Sequence, residues 1–177
     1  MIILGIDPGT ATTGYGIIKI KAQNAKRKTN KPKVKVIDYG CITTSPAFSA
    51  GERLRVLNKE LNKLIIKYKP NVLAVENIYF FKNLKTAMPV SQAKGVVLFT
   101  AAKKKIPIYE FTPLQVKMAV SGYGKAEKKQ VQKMIKVLLN LEKIPKFANK
   151  KLMDDAADAL GVAICYILET KKKVKLT

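Results

Sequence analysis

Two rhythms of apolar residues run along this chain, and they divide it into strands and helices. Met1-Ile2-Ile3-Leu4 opens a run that reads as a buried strand over residues 1–8, and Pro8-Gly9 turns the chain out of it. Residues 13–20 read as a second strand and residues 34–43 as a third. Between them, Lys21 to Lys33 is polar and basic, with Asn24, Asn30 and Pro32. It reads as a long, mobile hairpin tip, either a solvated loop or a binding arm. From Ala50 to Tyr68 the period changes: Leu54, Leu57, Leu61, Leu64, Ile65 and Tyr68 recur three or four apart, an amphipathic helix that Pro70 stops.

Residues 71–76, "NVLAVE", predict another buried strand, Lys85 to Lys104 a helix, and residues 106–111, "IPIYEF", a short strand. Thr112-Pro113 is a helix start, with Thr as N-cap and Pro at the first helical position. That helix ends at Ser121-Gly122-Tyr123-Gly124. Ala126 to Leu139 predicts a helix with Val131, Ile135 and Leu138 toward the core, and Asn140 to Lys151 a basic loop. Met153 to Leu168 predicts a last helix, followed by a basic disordered tail over 171–177. Three strands in a meander, then strands reached through helical crossovers, give an α/β fold with a mixed sheet. At 177 residues, with no internal repeat or long linker, one domain over 1–170 is expected.

Charge changes this picture most. Thirty-four Lys and Arg against twelve Asp and Glu leave +22, a surface that repels itself unless a polyanion neutralises it. The basic residues are spread along the chain instead of forming one amphipathic helix, which favours nucleic acid over a membrane surface. Lys far outnumbers Arg, so a genome-wide composition bias is an alternative source for part of the charge. No apolar run reaches the roughly 18 residues of a membrane span. The N-terminus lacks the basic stretch of a signal peptide. Cys41 and Cys165 match no metal spacing and read as reduced thiols, so a cytoplasmic protein is expected.

The few carboxylates stand out against this background. Asp7 and Glu76 each end a buried strand, the edge of an open α/β sheet where ligands bind. Asp154, Asp155 and Asp158 lie in "MDDAADALG", where helical spacing lets 155 and 158, or 154 and 158, share a face. Ala156, Ala157 and Ala159 keep that helix thin enough to press on the sheet. Asp7 could instead serve the turn, Glu76 could be an ordinary strand-end charge, and Asp154 and Asp155 could be first-turn acids favoured by the helix dipole. Gathered at one edge they would repel and raise one another's pKa values, a conflict that a divalent cation removes. With no histidine in the chain, an all-oxygen ligand set points to Mg²⁺ or Mn²⁺ rather than zinc. An acidic metal site in a basic protein suits phosphodiester hydrolysis.

The ordered motifs resemble the RuvC family, bacterial Holliday-junction resolvases with a ribonuclease H-like fold. They are "ILGIDPGTATTGYGII" at 3–18, "AVENIYFFKN" at 74–83, "SQAKGVV" at 91–97, "GYGKAEKKQV" at 122–131 and "DDAADALGVAI" at 154–164. The resemblance implies a five-stranded mixed sheet, three antiparallel strands followed by two parallel ones, with helices on both faces. It implies Asp7, Glu76, Asp155 and Asp158 as catalytic ligands of two Mg²⁺ ions, with Mn²⁺ able to substitute, and gives Asp154 no role. It implies DNA contacts through Tyr79, Lys82, Lys117, Lys125 and Lys128, with Phe80 or Phe81 as alternatives for the stacking aromatic. A homodimer that nicks a four-way junction symmetrically, working with the branch-migration proteins RuvA and RuvB, completes the expectation. The basic 21–33 segment is longer than the usual turn there, and as a binding arm it would touch DNA. A YqgF-like nuclease, an actin-like ATP-binding fold and a DNA-binding module without catalysis are the rival readings. The actin-like one would need a second Gly-rich phosphate turn after a strand, and only "SGYG", after a helix, is present.

Overall fold

β1 (Ile2–Asp7), β2 (Thr12–Ile20) and β3 (Val34–Thr43) form an antiparallel meander in the computed structural model, which describes residues 1–20, 34–77, 84–148 and 151–174. The expected hairpin tip at 21–33 lies outside the described residues. The chain then crosses through α1 (Ala50–Tyr68) to β4 (Val72–Glu76) and through α2 (Leu84–Lys103) to β5 (Ile108–Phe111). β4 pairs parallel to both β1 and β5, giving the order β3-β2-β1-β4-β5. This is the mixed five-stranded sheet expected, with β1 at its centre. α3 (Pro113–Ser121), α4 (Lys128–Leu139), a 3₁₀ turn (Leu141–Lys143), α5 (Pro145–Ala148) and α6 (Asp154–Val174) complete the chain.

Local chemistry sets the helix ends. Ser49 and Glu52 close a capping box on α1, and Thr112 and Gln115 close one on α3 with Pro113 behind the cap. Gly122 ends α3 in the left-handed conformation, φ 73°, where glycine carries no steric penalty. Three expectations shift. The stretch from Asn140 to Lys151, expected as a loop, contains the 3₁₀ turn and α5. α6 runs to Val174, so residues 171–174 of the expected disordered tail are helical and 175–177 lie outside the described residues. On α4 the buried stripe is Val131, Ile135 and Leu139, four apart, while Leu138 is exposed.

Helices cover both faces of the sheet. Leu4, Ile6, Ile17, Leu73 and Val75 pack against α1 and α2; Ile3, Ile18, Val72 and Ala74 pack on the side of α3, α4 and α6. α6 lies unusually close to β1 and β2. A Cβ placed on Gly5 would stand 2.1 Å from the carbonyl oxygen of Ala159, and one on Gly14 would stand 1.9 Å from that of Asp155. Both obstructions are backbone and cannot swing away. The alanines of α6 and the glycines of β1 and β2 are therefore two halves of one contact.

Gly14→Ala is expected to destabilise the protein by roughly 1–3 kcal/mol, as overpacking does. Gly51→Ala, where an added Cβ meets nothing within 4 Å, should not destabilise it. Urea denaturation of both variants checks this; a Gly14→Ala protein as stable as its parent would contradict the close packing of α6.

Candidate active site

Strand parity decides where the acids point. Leu4 and Ile6 take the α1–α2 side of β1, so Ile3, Gly5 and Asp7 take the α6 side. In β4, Leu73 and Val75 take the first side and Val72 and Ala74 the second, which puts Glu76 on the α6 side too. β1 and β4 run parallel with Ile6 opposite Val75, so Asp7 and Glu76 end neighbouring strands at the same edge. Gly14 pairs with Asp7 across β1 and β2, and the Asp155 backbone rests on Gly14. The first turns of α6 thus bring Asp155 and Asp158 over the ends of β1 and β4.

Asp7 is not used to hold its turn. Thr13, buried in β2, donates its hydroxyl to the Gly9 carbonyl at 2.5 Å and accepts the Gly9 N–H at 3.3 Å. Thr44 donates its hydroxyl to the Thr10 carbonyl at 2.7 Å and its N–H to the Ala11 carbonyl at 3.0 Å. With the turn closed by these threonines, the turn-residue reading of Asp7 falls away. An open cleft of about 380 Å³ lies beside it, lined by residues 9–12, Pro89, Val90 and Asp155.

The charges of these acids act on one another. Burial, followed by the charges of Glu76, Asp158 and Asp155, pushes the Asp7 carboxyl up to about 8. Burial and Asp158 push Glu76 up to about 7, against Lys117 and Lys128. Burial raises Asp158 as well, with Lys128 opposing. Asp7, Glu76 and Asp158 thus shift upward together, and Asp155 acts on Asp7 and Asp158 through its charge.

The basic candidates divide. Lys128, at the start of α4, places Nζ 3.3 Å from both Asp154 Oδ2 and Asp158 Oδ2. Lys117 on α3 acts on Glu76 through its charge. Lys125 is exposed in the loop between α3 and α4. Tyr79 and Lys82, with Phe80 and Phe81, lie outside the described residues. "SGYG" is the capped end of α3, its Ser121 hydroxyl donating to the carbonyls of Lys117 and Tyr123, and it follows no strand.

Three roles are absent from the sequence reading. Thr13 is the first. The second is Lys94 of α2, mostly buried, whose ammonium bonds both Asn77, next to Glu76, and Glu110 of β5. Its one signal is a lysine directly after Ala93 on a buried face, where lysine is out of place. The third is Asp154, which accepts from Gln132 Nε2 at 2.8 Å and pairs with Lys128.

The donor set is wholly carboxylate oxygen, which fits a hard divalent cation. Among the described residues, no three of these side chains close into a ready-made metal shell. A divalent cation would draw these oxygens together.

A sequence model of the family described as "Crossover junction endodeoxyribonuclease RuvC" matches residues 3–166. A protein of that name from Alkaliphilus metalliredigens is 52% identical over 166 residues, 94% of this chain and 92% of the relative. Thermus thermophilus RuvC superposes with a TM-score of 0.80 at 28% identity, covering 98% of this chain and 97% of the other. The same protein in complex with a Holliday junction substrate gives a TM-score of 0.80 at 28% identity, covering 98% and 96%. The sheet and its flanking helices are thus the ribonuclease H-like fold expected.

A carboxyl whose pKa is higher folded than unfolded keeps a proton that folding favours. Its stabilising contribution is complete below about pH 4 and is lost as pH rises toward 8. A divalent cation must displace these protons. Mg²⁺ or Mn²⁺ binding at pH 7 is expected to release protons and to tighten from about pH 6 to 8. Calorimetry in buffers of different ionisation enthalpy checks it; binding without proton release would contradict the coupling.

Proposed function

The chain belongs to the RuvC family, and from that premise we propose that it is a structure-selective DNA endonuclease that resolves Holliday junctions in recombination and repair. The observation that carries the reading is the coupling of Asp7, Glu76, Asp155 and Asp158 at one sheet edge of a chain with net charge +22. A basic surface can hold the DNA backbone while an acidic centre holds the cations that hydrolysis needs. The Thermus thermophilus neighbour, solved with a Holliday junction substrate, supports four-way DNA as the substrate.

Asp7, Glu76, Asp155 and Asp158 would hold two divalent ions, Mg²⁺ by chemistry and Mn²⁺ as a substitute. When bound, such ions activate the attacking water and stabilise the departing 3′-oxygen. The chain's own part is placement. β1 and β4 fix two carboxylates on rigid backbone, and α6 brings the other two onto them. The threonine-closed turn and the 380 Å³ cleft leave room for a strand beside Asp155. Lys117, Lys125 and Lys128 would neutralise phosphates around the cut, with Lys82 and a base stacked on Tyr79 completing the contact.

Symmetric cutting of two strands calls for two sites. A homodimer supplies them and matches the two-fold symmetry of a four-way junction. The outer face of α2 supports this, since Met88 and Phe99 are exposed three turns apart with exposed Gly95 between them. Action in the cytoplasm alongside the branch-migration proteins RuvA and RuvB follows from the same reading. Among the described residues no helix is long and apolar enough to cross a membrane.

Incubation with a synthetic four-way junction is expected to give paired, symmetric nicks with ligatable 5′-phosphate ends, only when Mg²⁺ is present and not on linear duplex. Asp7→Asn should abolish cleavage and leave junction binding intact. Binding should weaken by about 10³-fold or more between about 50 and 200 mM salt. Cleavage that survives Asp7→Asn would overturn the reading.

A further inference from the structure

We propose that Lys128 competes with a divalent ion for the acid site: its ammonium holds Asp158, must be displaced from it by an entering ion, and is kept at the rim by Asp154. The inference rests on the nuclease reading above and gives Asp154, which has no part in the motif, a task of its own.

The geometry is that of two facing rows. Lys128 and Gln132 are four apart on α4; Asp154 and Asp158 are four apart on α6. Nζ of Lys128 stands 3.3 Å from Oδ2 of each aspartate. Gln132 Nε2 donates to the other oxygen of Asp154 at 2.8 Å, which fixes that carboxylate in place. Of the two, Asp158 is the inner acid, its side chain 29% exposed, and Asp154 the outer one at 63%. The ammonium therefore straddles the boundary between site and solvent.

One ammonium cannot serve the whole cluster. It is a compact single charge with three donors, and it touches Asp158 while reaching Asp7 and Glu76 only through its field. A divalent ion takes about six oxygens and draws carboxylates inward. Asp158 cannot satisfy both cations at once. When it changes partner, Lys128 keeps Asp154, so no charge is stranded. Half-exposed and on a flexible stem, Lys128 then stands beside the loaded site, where a DNA phosphate would arrive. Metal loading and phosphate binding become linked, and the linkage is reciprocal.

Mn²⁺ binding without DNA, followed by the electron paramagnetic resonance of the free ion, tests this. Lys128→Met is expected to bind Mn²⁺ about fivefold more tightly than the parent, the scale of a half-exposed ion pair. Lys117→Met, whose charge reaches Glu76 from further off, should tighten it less. Lys128→Arg should bind like the parent. In the unmodified protein, the side-chain ¹⁵N resonance of Lys128 should shift on titration with Mg²⁺, which holds whether or not the methionine variant folds. Unchanged or weaker binding by Lys128→Met, equal tightening by both methionine variants, or an unmoved Lys128 resonance would overturn the inference. A parent protein that binds no Mn²⁺ would instead strike at the nuclease reading itself.

Discussion

The close seating of α6 on β1 and β2 is the constraint on which everything else depends. It exists because Gly5 and Gly14 present bare backbone to the carbonyls of Ala159 and Asp155. A side chain at either position would meet that backbone and push the helix off the sheet. The carboxylates of Asp155 and Asp158 would then act more weakly on Asp7 and Glu76. Small residues on both partners therefore do electrostatic duty as well as packing.

That seating has a cost which the rest of the molecule offsets. Burial and neighbouring charge raise the pKa values of Asp7, Glu76 and Asp158, so that Asp7 and Glu76 hold protons more readily, and the ammonium of Lys128 sits on Asp158. Each response marks a place where a stronger cation would be welcome. The turn after Asp7 is closed by Thr13 and Thr44, and the end of β4 is steadied through Asn77 by Lys94. The acids are thus relieved of structural work and left for chemistry.

Much of this was legible in the residues. Apolar runs bounded by turn signals located the five strands, and a three-or-four spacing located α1, because burial writes itself into the sequence. β3 and α1 match their expected ends, and the acids at strand ends pointed to the working edge. Three things were not legible. Lys94 acts through partners distant in sequence, which no spacing rule reports, and Thr13 reaches back only to Gly9, a bond that exists only once the turn between them has closed. Leu138 and Leu139 are equally apolar, so which one faces the core depends on how α4 rotates against its neighbours. Asp154 carries no motif signal because its partners, Lys128 and Gln132, come from another helix.

Anomalous diffraction from crystals grown with Mn²⁺ tests the central claim most directly. Two peaks should lie between the strand ends and α6, with oxygens of Asp7, Glu76, Asp155 and Asp158 drawn into coordinating contact. Carboxylates that remain apart, with manganese absent or bound elsewhere, would contradict the convergence on which the nuclease site is built.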